Sequence, residues 1–339
     1  MSVIDTRADT GRFRLGLLFA VASAFTFGMS GPLAKALMEA GWTPTAAVTA
    51  RLVGGALAMA VFASFVKPDW IRDAVAHRRT VVAYGLIPIA GAQLCYYNAV
   101  AHLSVGVALL LEYTAPVLVV GWLWATTKRR PGRLTLAGVA LAVAGIMLVL
   151  DVFAGARVNT VGVSWGLAAA ICAACYFMMS DEATADGDGD GLHPITLAAG
   201  GLIVGAVAVA ALGASGVLPM VFTTHDTMVA GHTLPWYLPV VAMALIPTAI
   251  AYTLGIFGVA RLRPRFASLV GLAEVLFAIL IAWAFLGEAV TAMQAFGGAV
   301  VLLGLGLARL GDRAENALET GWPDVPPGRP HAEQAIGSN

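Results

Sequence analysis

Two acidic residues lie deep inside long apolar stretches of this sequence. Glu112 lies about eight residues, or roughly 12 Å, into one stretch, and Glu274 is about as deep in another. A carboxylate at the centre of a bilayer costs at least about 2.5 kcal/mol unless it is paired or hydrated, so it normally faces a cavity. Both residues are therefore candidates for binding a substrate amine or a proton. A buried structural pair, or a protonated Glu bonded to a neighbouring backbone, is the alternative.

Two basic residues also lie within apolar stretches. Lys35 is close to the end of its stretch, where its side chain can extend to the membrane surface or pair with Glu39. Arg51 is deeper, about 10 Å from the start of its stretch at the helical rise. This depth favours binding to a carboxylate, of the substrate or of the protein, over extension to the surface.

Polar residues and a proline complete the candidate site. Gln93, Tyr97 and Asn98 fall in one apolar stretch, and the first two share a helical face because they are four residues apart. Hydrogen bonding between helices is the alternative function for them. Pro116 frees the carbonyl of Glu112, and free backbone groups at this depth are tolerated beside a cavity or other helices. We predict that these residues line a pathway for substrate or ions.

The composition indicates a membrane protein. Of the 339 residues, 59% are apolar and only 12% are charged, whereas about a quarter are charged in a soluble domain. The formal net charge is zero, so nothing indicates nucleic acid as a partner. Cys172 and Cys175 form C-x-x-C without a second pair, and with Cys95 they are interpreted as packing residues. We expect no metal, no cofactor and no catalytic residue.

The hydrophobic pattern predicts an all-α membrane protein with ten transmembrane helices. Ten apolar runs approach the roughly 20 residues that a span requires: Leu15–Leu37, Thr45–Val66, Val81–Ala101, Val105–Thr126, Leu134–Leu150, Val161–Ser180, Ile195–Ser215, Trp236–Val259, Phe266–Leu286 and Ala289–Leu307. Residues 1–14 are expected to form a cytoplasmic N-terminus and residues 311–339 a disordered cytoplasmic tail rich in Pro, Gly and charge.

The distribution of Lys and Arg predicts the orientation. With the N-terminus inside, seventeen of the 20 basic residues fall in inside segments, Arg157 alone is outside, and Lys35 and Arg51 are within spans. Cytoplasmic loops retain Lys and Arg, so both termini are expected in the cytoplasm and the protein in the cell (inner) membrane.

The loop Asp186–Gly191 resembles the start of a calcium loop, but Leu197 occupies the position that requires Glu, so a solvated turn is expected.

The sequence repeats itself, once with a shift of 150 and once with a shift of 159 residues. The first shift places Pro44 on Pro194 and Gly55 on Gly205, and the second places Pro88 on Pro247, Trp124 on Trp283 and Gly138 on Gly297. This predicts two five-helix repeats, residues 15–150 and 161–310. Because five is odd, the second repeat is inverted relative to the first, as in many secondary transporters.

With the repeat and these residues in place, the chain resembles the EamA branch of the drug/metabolite transporter superfamily. The resemblance rests on short motifs: Phe27-Gly28, Gly31-Pro32-Leu33-Ala34-Lys35, Pro44 with Arg51-Leu52, Leu110-Leu-Glu112-Tyr-Thr-Ala-Pro116, Ala273-Glu274 and Phe285-Leu286-Gly287-Glu288. The first and fourth spans are closest to the threonine/homoserine exporter type. The family often has Glu-Pro in the ninth span, and because Val275 follows Glu274 here, the second repeat is expected to lack that kink.

The resemblance implies a secondary transporter that exports amino acids or related small metabolites, and it suggests exchange for protons as the coupling. The expected partners are a small-molecule substrate and the lipid bilayer, with the protein a monomer or homodimer. A multidrug or other metabolite exporter of the same family is the main alternative. A non-transporting receptor or scaffold and a membrane-embedded enzyme are further alternatives, the latter opposed by His102, His225 and His232 all falling in loops.

Overall fold

The computed structural model describes residues 3–128, 130–150, 159–184, 192–259 and 270–319, and these are almost entirely helical. The helices are α1 (Val3–Gly28), α2 (Ser30–Glu39), α3 (Pro44–Val66), α4 (Trp70–Ala76), α5 (Arg78–Tyr84), α6 (Ala92–Val100), α7 (Val105–Glu112), α8 (Ala115–Thr127), α9 (Arg133–Val149), α10 (Thr160–Thr184), α11 (Pro194–Ala214), α12 (Tyr237–Ala244), α13 (Ala251–Val259), α14 (Ala273–Leu286) and α15 (Ala292–Glu319). One hairpin of β1 (Thr227–Val229) and β2 (His232–Leu234) precedes α12, with Val229 opposite His232.

Six helical segments are long and apolar enough to cross a bilayer. They are Arg14–Glu39, Pro44–Val66, Arg78–Val100, Val105–Thr126, Pro194–Ala214 and Tyr237–Gly258. Four more apolar helices are shorter: Arg133–Val149, Thr160–Tyr176, Ala273–Leu286 and Ala292–Ala308. These segments fall on the ten apolar runs of the sequence, which confirms a helical membrane protein.

Both ends of the chain differ from the expected boundaries. Helix α1 begins at Val3, inside the expected N-terminal segment, and α15 continues past residue 310 to Glu319. The first part of the tail is therefore helical, which corrects the expectation of disorder from residue 311. Residues 320–339 and the acidic loop Asp186–Gly191 lie outside the described residues.

Proline distorts two of the membrane segments at matched positions. The first π segment (Gly85–Gly91) contains Pro88 and joins α5 to α6, and the second π segment (Leu245–Ile250) contains Pro247 and joins α12 to α13. Proline has no N–H, so Pro247 leaves the carbonyl of Met243 without its helical donor. The hydroxyl of Thr248 donates to that carbonyl at 3.3 Å. The distortion is thus compensated within the protein, as a membrane interior requires.

Three other segments are interrupted near the middle of the molecule. Met29 separates α1 from α2, and Tyr113 and Thr114 separate α7 from α8 directly after Glu112. In the second half the chain turns at Leu272, the repeat mate of Tyr113, just before Glu274. The expectation that this half lacks a break was wrong. A bond from the Val275 N–H to the Leu272 carbonyl, at 3.3 Å, tightens the turn without any proline.

Contacts between the two halves follow the sequence repeat. Helix α3 packs on the second π segment, and α11 packs on the first. A Cβ atom built on Gly55 of α3 would lie 2.4 Å from Thr248, and one built on Gly205 of α11 would lie 3.0 Å from Ile89. Gly55 and Gly205 are repeat mates, as are Thr248 and Ile89. The same close approach therefore occurs twice.

Helices α9 and α15 pack closely against each other. A Cβ atom on Gly138 would lie 2.3 Å from the backbone nitrogen of Ala308, and one on Gly304 would lie 2.4 Å from that of Ala142. Small residues at membrane helix interfaces let backbones approach in this way, because dispersion contacts rather than the hydrophobic effect hold helices together in lipid.

Candidate functional site

Arg51 is the centre of a buried polar cluster. It lies on α3 and only 2% of the residue is exposed. Its Nε donates to the Thr248 hydroxyl at 3.2 Å, and its Nη2 donates to the Pro247 carbonyl at 3.1 Å. The cation therefore binds the second π segment, at the point where Pro247 distorts the helix and Thr248 compensates for the lost hydrogen bond.

The other side of the guanidinium binds residues of the first half. The two hydrogens of Nη1 are shared among three acceptors: the Ser30 hydroxyl of α2, Gln93 Oε1 of α6 at 2.5 Å and the Tyr97 hydroxyl at 3.2 Å. Tyr97 and Ser30 are themselves hydrogen bonded at 3.0 Å, and the Arg51 Cζ atom lies 5.8 Å from the centroid of the Tyr97 ring. We call these residues the Arg51 cluster: Arg51, Ser30, Gln93, Tyr97, Thr248 and the Pro247 carbonyl.

All hydrogen-bond partners of Arg51 in the described part of the chain are neutral. They are three hydroxyls, one side-chain amide and one carbonyl. Extension to the membrane surface is excluded by this burial, and no protein carboxylate is bonded to Arg51 among the described residues. The spacing of Gln93 and Tyr97 on one face is confirmed, and both side chains point to the same cation.

The two acids of the membrane segments lie within electrostatic range of Arg51, and Glu112 also of Glu274. Both residues are half-buried, and Glu112 interacts electrostatically with Glu274 and Arg51. The Tyr113 hydroxyl lies 2.7 Å from Glu274 Oε2 and 3.0 Å from the Gly271 carbonyl, so its single hydrogen can be donated to either. Within the described ranges, the Glu112 carboxylate has no hydrogen-bond or ion-pair partner. Glu112 is thus the acid that remains available to a ligand.

Two cysteines lie within electrostatic range of Glu112. They are Cys95 on α6 and Cys172 on α10. All three cysteines are free and half-buried. Among the described residues, no group of three His, Cys, Asp or Glu side chains could hold a metal ion.

The remaining predicted residues have separate positions. Lys35 forms an ion pair with Glu288, not with Glu39, and also donates to the Leu103 carbonyl at 3.1 Å. The expected alternative of a pair with Glu39 is therefore wrong. Asn98 donates to the Leu94 carbonyl of its own helix at 2.7 Å and is not part of the Arg51 cluster. Pro116 lies in the first turn of α8, directly after the break that follows Glu112.

Sequence reasoning missed four residues of this region. Ser30 and Thr248 bind Arg51, Tyr113 binds Glu274, and Glu288 binds Lys35. Three of these residues could have been found by examining the polar residues next to the prolines and next to Glu112. Ser30 is two residues from Pro32, Thr248 follows Pro247, and Tyr113 follows Glu112. Glu288 is part of the Phe285-Leu286-Gly287-Glu288 motif, but nothing in the sequence indicates that it pairs with Lys35, 253 positions away.

The family is decided by comparison with known proteins. The sequence matches the EamA-like transporter family over residues 14–151 and again over residues 160–310. The chain belongs to the EamA-like transporter family. It is therefore a membrane transporter, and the two successive matches fall on the two halves of the internal repeat.

Similar individual proteins are bacterial and archaeal transporters. The threonine/homoserine exporter RhtA of Escherichia coli (strain K12) is 29% identical over 282 residues, 81% of this chain and 84% of that protein. RhtA of Salmonella typhimurium (strain SL1344) is 30% identical over 269 residues, 77% of this chain and 80% of that protein. An uncharacterised transporter of Archaeoglobus fulgidus is 26% identical over 273 residues, 78% of this chain and 91% of that protein.

A solved crystal structure has the same fold. Its sequence is 20% identical, its TM-score is 0.59, and the superposition covers 88% of this chain and 98% of the other. This EamA-like transporter is thus similar in fold to a solved structure and in sequence to named exporters.

Proposed function

We propose that this EamA-like transporter exports amino acids, or closely related small metabolites, across the inner membrane in exchange for protons. The likeness to RhtA over 81% of the chain supports an amino acid as substrate. The proposal includes ten transmembrane helices arranged as two inverted five-helix repeats, residues 15–150 and 161–310, with both termini in the cytoplasm. The two family matches and the repeated contact of Gly55 and Gly205 with the π segments support this arrangement.

The observation that carries the proposal is the Arg51 cluster. A buried guanidinium bonded to neutral groups keeps its full positive charge, and Arg matches the geometry of a carboxylate with two parallel donors. A substrate carboxylate would exchange some of these neutral acceptors for its own oxygens. Ser30, Gln93 and Tyr97 would then be released to bind other polar atoms of the substrate.

Glu112 and Glu274 would bind the ammonium end of the substrate, opposite the carboxylate end that Arg51 binds. An amino acid carries an ammonium group as well as a carboxylate, and Glu112 lies within electrostatic range of Arg51 without a bonded partner of its own. The substrate ammonium would bind Glu112, with Glu274 and Tyr113 beside it. A zwitterion thus fits between a fixed positive and a fixed negative group, whereas a drug without a carboxylate would leave Arg51 unused.

Proton exchange follows from the same carboxylate. In a low-dielectric site an ionised Glu112 binds an ammonium group, and a protonated Glu112 releases it. Proton and substrate therefore compete for one group, which is the simplest physical basis for antiport. The direction is set by the membrane gradient, with protons entering from outside as substrate leaves.

A growth-inhibition panel tests the substrate class. Cells with and without the gene are grown in amino acids, including threonine and homoserine, and in a set of cationic drugs. We expect protection against the amino acids and none against the drugs, together with faster appearance of labelled threonine in the medium. Protection against the drugs alone would overturn the amino-acid assignment and support the multidrug alternative.

A further inference from the structure

Glu288 joins three segments at one end of the molecule. Its Oε2 accepts from the Val105 N–H at 3.1 Å, and its other oxygen is bound by the Lys35 ammonium. Val105 begins α7, where an N–H has no partner inside the helix, and Ser104 before it makes no side-chain cap. Glu288 thus caps α7 from the second half of the chain.

The backbone turn before Glu288 and the position of Lys35 bring the two side chains together. Gly287 ends α14 at a φ of +69°, a left-handed conformation that favours glycine, and this turns the chain back toward α2 and α7. Lys35 extends from α2 and also binds the Leu103 carbonyl, in the loop before α7. One ion pair therefore connects α2, the start of α7 and the end of α14.

Other contacts lie at the same end of the molecule. The Ala230 N–H of the hairpin donates to the Phe285 carbonyl of α14 at 2.8 Å, within the second half, and β1 contacts α2 of the first half. The indole of Trp42, between α2 and α3, donates to the Thr223 carbonyl at 2.9 Å and packs on Phe222 at 5.1 Å between ring centroids. In the proposed orientation this is the external end.

We propose that Lys35, Glu288 and the Val105 N–H form a latch that closes the external end of the transport pathway. Opening of the latch releases substrate to the outside, and its closure isolates the Arg51 cluster from external water. The latch rests on the proposed transport function and orientation. It assigns Lys35 to the gate, not to substrate binding, and gives Glu288 the role of a positioning residue.

The partial exposure of the pair suits a contact that opens and closes. The Lys35 and Glu288 side chains are 21% and 18% exposed, so water can solvate each charge when they separate. A fully buried pair would leave uncompensated charges on opening and would be costly to break. A pair on a fully exposed surface would contribute little to closure. The exposure of the Lys35–Glu288 pair lies between these two cases.

The other described ion pair provides a control. Lys67 and Asp73 are 2.5 Å apart and are 29% and 35% exposed, and the hydrogen bond from Lys67 lowers the pKa of Asp73. Both residues belong to the first half and are close in sequence, so this pair connects no helices of different halves. The pair lies in the segment between α3 and α5, where Lys67 follows α3 and Asp73 belongs to α4. In the proposed orientation this segment is at the cytoplasmic end.

Access to Cys95 from outside tests the latch. Cys95 is half-buried and within electrostatic range of Glu112, and replacing Cys172 and Cys175 by Ala leaves it as the single thiol of the chain. Its reaction rate with a charged, membrane-impermeant methanethiosulfonate is measured in right-side-out vesicles without substrate. In Glu288→Gln and in Lys35→Met the rate should rise about two- to fivefold, the range expected for loss of a partly exposed ion pair. Lys35→Arg should keep the starting rate.

The controls separate the latch from general loosening and from transport. Asp73→Asn should leave the rate unchanged, and the double variant Lys35→Met/Glu288→Gln should not exceed the faster single variant. If Glu288→Gln does not fold, Lys35→Met decides alone. Unchanged labelling in folded Lys35→Met, or an equal rise in Asp73→Asn, would overturn the latch. Because no substrate is present, this outcome is independent of whether amino acids are transported.

Discussion

At the scale of single residues, the proposed function depends on two groups of opposite charge within the membrane segments, Arg51 and Glu112. Arg51 is bonded on all sides by neutral groups, and Glu112 is bonded to none in the described residues. Charges inside a membrane are rare and expensive, so a protein that keeps both has a use for them. Their proximity favours a substrate that itself carries both charges.

Replacing Glu112 by Gln should remove the pH dependence of transport. Gln keeps the volume and hydrogen bonding of a protonated Glu but cannot release or bind a proton. Flux driven by a pH gradient should fall to background while expression and insertion stay normal. Glu39→Gln is the matched control, because Glu39 is exposed at the end of α2 and should leave flux unchanged. Wild-type pH dependence in Glu112→Gln would assign coupling to Glu274 or to no protein carboxylate.

Replacing Arg51 by Lys should impair both stability and transport. An ammonium group cannot reach the Pro247 carbonyl and Gln93 simultaneously, because it lacks the planar fork of five donors. Each lost bond to a charged group costs about 1.5–3 kcal/mol. The melting temperature in detergent should therefore drop, and transport of acids should fall more than that of amines. Arg72→Lys, on exposed α4, should change neither. Unaltered melting and flux in Arg51→Lys would contradict the cluster's role.

At the scale of helices, the close contact of α9 with α15 predicts different effects on stability for two glycine substitutions in α15. Gly304→Ala places a Cβ atom 2.4 Å from the Ala142 backbone nitrogen, which cannot move aside. We expect a loss of about 1–3 kcal/mol, the usual cost of overpacking. Gly306→Ala, on the same helix with nothing within 4 Å of the new atom, should be neutral or stabilising by up to about 1 kcal/mol. Thermal unfolding in detergent measures both, and equal effects would show that this helix pair is not close-packed.

The helices themselves were predictable from sequence, and their irregularities only partly. Apolar runs of span length give the elements, and Pro88 and Pro247 mark the π segments. The break at Leu272 was not predicted, because it depends on a tightened turn and not on a proline. Two of the neutral partners of Arg51 were among the predicted site residues: Gln93 and Tyr97, which helical spacing places on one face. The other two side chains, Ser30 and Thr248, lie elsewhere in the sequence and were not predicted. Only the packing of the halves brings these residues together.

At the scale of the whole molecule, the charge distribution predicts the orientation. Seventeen of the 20 basic residues lie in segments expected inside, and one lies outside. A cytoplasmic reporter fused after Arg313 should therefore be active, and a Cys placed within residues 222–231 should react with an impermeant thiol reagent from outside. The opposite pattern for both probes would invert the molecule and move the latch to the cytoplasmic end.

Proton-coupled export of an amino acid is the central claim, and everted membrane vesicles test it most directly. In them the cytoplasmic face is outward, so export appears as uptake of radiolabelled threonine. We predict accumulation when the vesicle interior is acidic, collapse of that accumulation on adding a protonophore, and none in vesicles carrying Glu112→Gln. Threonine uptake that is the same with and without the pH gradient would contradict proton coupling. No uptake of threonine or homoserine by correctly inserted protein would contradict the substrate itself.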